Sequence, residues 1–345
     1  LAPSAFDSPA PAPARRLWLR LVLGLLGLIL VAGAVFLTGP RNEFGPDTPT
    51  QRALPPQDIA ALDAWLQTSE ATYTDIRPGN AKGIVWNSTN HERTPWAVVY
   101  IHGFSASRLE TAPVAERVAK ELGANTFYTR LAGHGRSGAA MGEASPQDWM
   151  ADAIEAVRIG KTLGERVLVI SCSTGSTLAT WLATSAEGNS VAAHAFISPN
   201  FGPKDKRSEI INGPWGKNIA LALEGENRGW TPEDKRETQA WTTRYPTRAL
   251  FPMMAMVKHV RESDLSTFQT PVLVLYSETD QTVDPVETLS AYTRMGAPLK
   301  TMEVVNYSKS RGQHVLAGDI KDPAAVAPMV DSIVKWARTL PKTPG

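Results

Sequence analysis

From Ile59 onward, short apolar runs alternate with stretches whose apolar positions recur every three or four residues. Trp96-Ala97-Val98-Val99-Tyr100-Ile101 has the continuous apolar character of a buried strand, and helical spacing follows near Val114–Leu122. Thr126–Leu131 reads as the next strand. Ser145-Pro146-Gln147-Asp148 then supplies an N-cap, a proline at the first helical position and an acid at the third. The helix it opens turns Met150, Ala153, Ile154 and Val157 inward. Val167–Ile170, Ala193–Ser198, Pro271–Tyr276 and Met302–Tyr307 read as further strands. A last helix carries Met329, Val330, Ile333, Trp336, Ala337 and Leu340 on one stripe, which is core. Apolar strands separated by helices predict an α/β fold, a mostly parallel sheet covered on both faces.

Two stretches break this alternation. Residues 201–269 hold Trp215, Trp230, Trp241, Met253, Met254 and Met256 among many charges, with no clean strand. Roughly 70 residues is too long for an ordinary connection, and a mostly helical cap over the C-terminal edge of the sheet is expected at about 203–268. At the other end, Leu21–Leu37 is an unbroken apolar run behind Arg15, Arg16, Trp18 and Arg20. A run of about 17 residues with snorkelling arginine is a spanning helix or a signal sequence. Ala32-Gly33-Ala34 resembles a cleavage site, but the apolar run continues past it, which favours an uncleaved anchor over 17–38. The arginine bias puts the flank in the cytoplasm and the body of the chain on the non-cytoplasmic, periplasmic or extracellular side. Residues 1–16 are Pro/Ala-rich and read as a disordered tail. The proline-rich residues 39–58 read as a linker holding the domain off the membrane.

The chain has 345 residues, 43% of them hydrophobic, which allows one large α/β domain with extras. A net charge of +1 provides no field to attract nucleic acid. Its one cysteine, Cys172, forms no internal disulfide and reads as a small core residue. No Walker loop and no His/Cys cluster with metal spacing is present, so neither cofactor nor metal is expected. Gly133-His134-Gly135-Arg136-Ser137-Gly138 matches G-x-G-x-x-G, yet Gly142 and Pro146 argue against a helix opening directly from it. It reads as a turn near the site rather than a pyrophosphate cradle.

The chemistry concentrates at Ser171-Cys172-Ser173-Thr174-Gly175, between the strand Val167–Ile170 and a helix from Ser176. A strand entering a tight turn and then a helix lifts the hydroxyl of Ser173 clear of a sheet. His314, on a loop after the last strand, is placed to act as base. The orienting carboxylate should follow a strand end, and Asp280 is the choice on placement, with Glu278 and Asp284 as rivals. The order Ser173, Asp280, His314 is not that of trypsin-like or subtilisin-like proteases. His102-Gly103-Phe104 follows the first strong strand, so the N–H groups of Phe104 and Thr174 are the candidate oxyanion donors; His102 itself reads as structural.

Together, His102-Gly103-Phe104, Gly133-His134-Gly135-Arg136-Ser137, the turn around Ser173, Asp280 and His314 resemble the α/β-hydrolase superfamily. The likeness is to its monoglyceride lipase, lysophospholipase and serine aminopeptidase group. It covers roughly Ile59 to Leu340, and residues 59–345 are expected to form the hydrolase domain. Asp280-Gln281-Thr282-Val283-Asp284-Pro285 is similar to the acid loop of that group, while Ser171 stands where Gly is usual. The resemblance implies a Ser–Asp–His esterase mechanism with a cap after the sixth strand. The leading expectation is cleavage of a carboxylic ester, an acylglycerol or lysophospholipid given the tether. A peptidase and a catalytically silent binding module are the alternatives.

Overall fold

The computed structural model describes residues 13–341, so most of the expected tail 1–16 lies outside the described residues. Helix α1 (Pro13–Leu37) contains Leu17–Leu37, long and apolar enough to cross a membrane, with none of that span buried against the body. Helix α2 (Leu62–Glu70) buries Leu62 and Leu66, which lie four positions apart on one face. Then come β1 (Gly83–Val85), β2 (Thr94–Ile101), α3 (Val114–Leu122), β3 (Asn125–Tyr128) and α4 (Pro146–Leu163). At the start of α4, Ser145 and Asp148 exchange side-chain and backbone hydrogen bonds, the reciprocal cap legible in the sequence. After it follow β4 (Gly164–Cys172), α5 (Thr174–Thr184) and β5 (Ala193–Ile197).

The insertion comes next: α6 (Gly216–Glu224), β6 (Asn227–Gly229), α7 (Lys235–Ala240), β7 (Arg244–Pro246) and α8 (Leu250–Glu262). It is helical apart from the small β6–β7 hairpin. It leaves the fifth strand in chain order rather than a sixth, the main sheet having seven strands among the described residues. The chain then completes the sheet with β8 (Val272–Tyr276), α9 (Pro285–Arg294), β9 (Lys300–Val304) and α10 (Val326–Thr339).

The strand order is β1-β3-β2-β4-β5-β8-β9, parallel throughout except for β1 at one edge. Strand alternation divides the core in two. Ala97, Val99, Val167 and Val169 face α4 and α5, where Trp149, Met150, Ile159 and Leu178 cover them. Val98, Tyr100, Leu168, Ile170 and Cys172 face α3 and α10, under Val118, Met329 and Ile333. Both faces are buried, which is why these strands read as unbroken apolar runs.

Residues 39–58, expected as a linker, lie as a strap against the body. The Trp215 N–H donates to Pro40 O (2.8 Å) at the start of α6. Asn42, buried, donates to Asn212 Oδ1 (3.1 Å) and Phe251 O (2.8 Å). Phe44 stacks on His259 of α8 at 3.9 Å, and the Trp181 indole N–H donates to Asp47 (2.8 Å). Gln147 donates to Phe44 O and Pro46 O, and Arg52 pairs with Asp148 and Asp152 of α4. Prolines withhold donors and stiffen the chain, but the polar residues between them find buried partners here.

Candidate active site

Ser173 stands between β4 and α5 with φ 53 and ψ −122, a conformation a side chain adopts only under constraint. The constraint comes from its neighbours. A Cβ at Gly175 would lie 2.3 Å from Ile101 O and 2.6 Å from His102 O, so only glycine allows α5 to approach β2 this closely. Ser171 fits where glycine is usual because its hydroxyl is used: Oγ lies 3.0 Å from Ser176 Oγ in the first turn of α5. The Ser173 N–H donates to Ile197 O (3.0 Å), tying the turn to β5.

His314 and Asp280 reach this turn from two loops. His314 Nε2 lies 3.0 Å from Ser173 Oγ, and Nδ1 lies 2.8 Å from Asp280 Oδ2. Asp280 is buried, and its other oxygen accepts the N–H groups of Thr282 (2.7 Å) and Val283 (3.0 Å). The histidine loop is fixed through its backbone: Ser198 Oγ donates to His314 O (2.6 Å), and the Gln281 N–H donates to Gly312 O (2.9 Å). Both rivals for the acid are placed elsewhere. Asp284 caps α9 by accepting from Val286 N–H and pairs with Lys206; Glu278 is exposed.

Phe104 and Thr174 both line the cavity that contains Ser173 and His314. Neither backbone N–H has an acceptor among the described residues. The cavity is about 420 Å³, and Trp230, Trp241, Tyr245, Leu250 and Met253 of the insertion form its far wall. Below Phe104, the His134 ring packs edge-on at 5.7 Å and against Trp149 at 5.8 Å. Gly133-His134-Gly135-Arg136-Ser137-Gly138 is therefore a support for the site, followed by a 3-10 turn of 4 residues. His102 donates from Nδ1 to Gly103 O (2.9 Å) and accepts from Leu131 N–H at Nε2 (3.1 Å), a structural part. Burial without a compensating anion lowers its pKa to about 4.

Cys172 is a core thiol that burial pushes up and away from reactivity. Sequence reasoning passed over Glu110. It lines the same cavity at 2% exposure, and its Oε1 accepts from Gly103 N–H (2.7 Å) and Tyr100 OH (2.9 Å). Desolvation raises its carboxyl to about 7. Nothing in the sequence marks it, since a glutamate before a helix ordinarily reads as solvated.

A parallel sheet with a strained serine at a strand-to-helix turn, under a helical insertion, defines a hydrolase of the α/β-hydrolase class. Residues 92–309 match the model of the family described as serine aminopeptidase, S33, and the chain belongs to that family. Among solved structures, a metagenome-derived lipolytic enzyme superposes with a TM-score of 0.60 at 19% identity, covering 76% of this chain and 99% of its own. A soluble variant of monoglyceride lipase from Saccharomyces cerevisiae gives 0.57 at 14% identity, covering 76% and 92%. The monoacylglycerol lipase of Paleococcus ferrophilus gives 0.54 at 14%, covering 75% and 98%. At such identities the likeness is one of fold. No curated protein sequence matches this one.

Proposed function

We propose that the protein is a serine hydrolase that cleaves carboxylic esters through an acyl-enzyme. Ser173 is the nucleophile. His314 takes its proton at Nε2, and Asp280 holds the ring in the Nδ1–H tautomer and stabilises the imidazolium that forms. The backbone N–H groups of Phe104 and Thr174 receive the oxyanion. The imidazolium then protonates the leaving alcohol, and a water activated by His314 releases the acid. The observation that carries this reading is the single ring bridging Ser173 (3.0 Å) and Asp280 (2.8 Å).

The apolar wall of Trp230, Trp241, Tyr245, Leu250 and Met253 supports an acyl chain or other apolar group as part of the substrate. With the α1 span, it favours an acylglycerol or lysophospholipid. A peptidase that captures a free terminal ammonium needs a carboxylate in the cavity. Among the described residues the acid lining it is Glu110, already engaged by Gly103 and Tyr100, which favours the ester. Arg15, Arg16 and Arg20, ahead of the unbroken apolar run Leu21–Leu37, favour a cytoplasmic N-terminus and a catalytic body on the opposite side.

The test is turnover of p-nitrophenyl esters of increasing chain length against aminoacyl anilides, with Ser173→Ala as control. Ester turnover lost in Ser173→Ala supports the reading. Anilide turnover with inert esters contradicts it, and no turnover of either class favours a silent binding module.

A further inference from the structure

Glu110 is an expensive residue in its position. Among the described residues no lysine or arginine pairs with it, and the ionisable base that acts on it is His314 of the site itself. A buried carboxyl without a cation destabilises the fold whenever it ionises, and an apolar side chain of similar volume would fill the space at no such cost. Its distinctive contribution is an acceptor. Oε1 takes both the Gly103 N–H (2.7 Å) and the Tyr100 hydroxyl (2.9 Å), and Tyr100 is itself fixed by the Thr111 hydroxyl (2.7 Å). Burial pushes the phenol of Tyr100 up, which keeps it a donor.

Gly103 is pressed between this carboxyl and the nucleophile. A Cβ there would lie 3.1 Å from Ser173 Cβ and 3.2 Å from Glu110 Oε2. Its carbonyl is held from the other side by His102 Nδ1 (2.9 Å) and the Ala106 N–H (3.3 Å). In a trans peptide the N–H points opposite to the C=O. With the Gly103 carbonyl turned to His102, the Phe104 N–H is turned the other way. The loop's far end is tied to the insertion, where the Thr242 N–H donates to Ser105 O (2.7 Å).

We propose that Glu110 is a positioning residue for the oxyanion loop: its carboxyl anchors the Gly103 N–H and so aims the next peptide, that of Phe104, at the substrate's carbonyl oxygen. This rests on the Ser173 mechanism above. An oxyanion donor is worth most when it is aimed before the charge develops, so the effect of Glu110 falls on the transition state and not on substrate binding.

The experiment compares full-length Glu110→Gln, Glu110→Leu and Glu110→Asp with the parent on a short p-nitrophenyl ester, reading kcat and KM separately. An alkylboronic acid, which forms a tetrahedral adduct on serine, is titrated in parallel. Glutamine keeps the acceptor, and its kcat should stay within about fivefold. Leucine removes the acceptor. Its kcat should fall by about 10²-fold with KM within about twofold, and boronate binding should weaken in step. Leucine at near-parental kcat, a loss confined to KM, or glutamine as slow as leucine would each overturn the proposal. Should the leucine variant not fold, aspartate decides: its shorter chain withdraws the acceptor, so a kcat loss of about tenfold supports the role and parental kcat overturns it. Ester turnover surviving in Ser173→Ala would instead overturn the mechanism on which Glu110 depends, so the two failures are distinguishable.

Discussion

His314 receives from Asp280 a single oxygen, Oδ2 at 2.8 Å, while the other oxygen of Asp280 is occupied by the N–H groups of Thr282 and Val283. The carboxylate is thereby locked in place before it touches the ring. The role proposed for it is to choose a tautomer, leaving Nε2 to accept from Ser173. Asp280→Asn presents an amide that can donate to Nδ1 and select the wrong tautomer. We expect kcat on a p-nitrophenyl ester to fall by about 10³–10⁴-fold with the circular dichroism spectrum unchanged. Asp284→Asn, at the cap of α9, should leave kcat within about twofold; a large loss there would transfer the acid role.

The turn around Ser173 tolerates change unequally. Gly175→Ala drives a methyl into the carbonyls of Ile101 and His102, and should cost about 2–4 kcal/mol of stability together with most activity. Ser171→Gly removes only the hydrogen bond to Ser176. It should cost about 1 kcal/mol and leave kcat nearly intact. Urea unfolding with parallel kinetics separates the two.

Three buried histidines predict acid sensitivity. His102 is lowered to about 4, His194 to about 3, and His134 also lies well below the usual 6.5, all chiefly by desolvation. The unfolded chain takes up these protons near pH 6.5 and the folded one resists them. Their stabilisation is therefore present above about pH 6.5 and lost as pH falls towards 4 and below. Tm should drop by about 10 °C or more between pH 7 and pH 4, and His194→Phe should flatten that slope.

Glu110 works with the opposite sign. Its carboxyl is raised to about 7 from 4.5, so the folded state holds a proton that the unfolded state releases. That contribution is complete below about pH 4.5 and is lost as pH rises through 7. The groups facing it are the Gly103 N–H, the Tyr100 hydroxyl, the Cys172 thiol and the His314 imidazole. Glu110→Gln should therefore gain stability relative to the parent as pH climbs from 4.5 to 7, measured as the difference in Tm between the two.

The strap gives a fifth expectation. Asn42→Ala leaves the Phe251 carbonyl and the Asn212 amide without their donor, and should cost about 1–3 kcal/mol. Because both partners belong to the insertion, limited proteolysis should cut first between residues 203 and 268 in this variant. Cleavage that remains confined to other surface loops would show that the strap does not steady the insertion.

Much of this was readable in the chain. β2, β4, β5 and β8 announced themselves because parallel strands buried on both faces must be apolar at every position. Ser145 and Asp148 marked the start of α4 through cap chemistry alone. The grouping of Ser173, Asp280 and His314, which the structure brings within hydrogen-bond distance, was legible from their order and from strand ends. Hidden features have physical reasons. β1 spans only 3 half-buried residues, and α9 opens inside what reads as the acid loop. The strap is rich in proline, the usual mark of a spacer, and its anchoring groups are single polar side chains such as Asn42 with partners some 170 positions away. Glu110 is invisible for the same reason: its meaning lies in Gly103 and Tyr100, and no local pattern records a contact across a loop.

The most direct measurement is peptide mapping by mass spectrometry after reaction with a fluorophosphonate. The account predicts one adduct, on Ser173, absent in Ser173→Ala and formed about 10³-fold more slowly in His314→Ala. An adduct mapped to another residue, or labelling of Ser173 at an undiminished rate without His314, would contradict it.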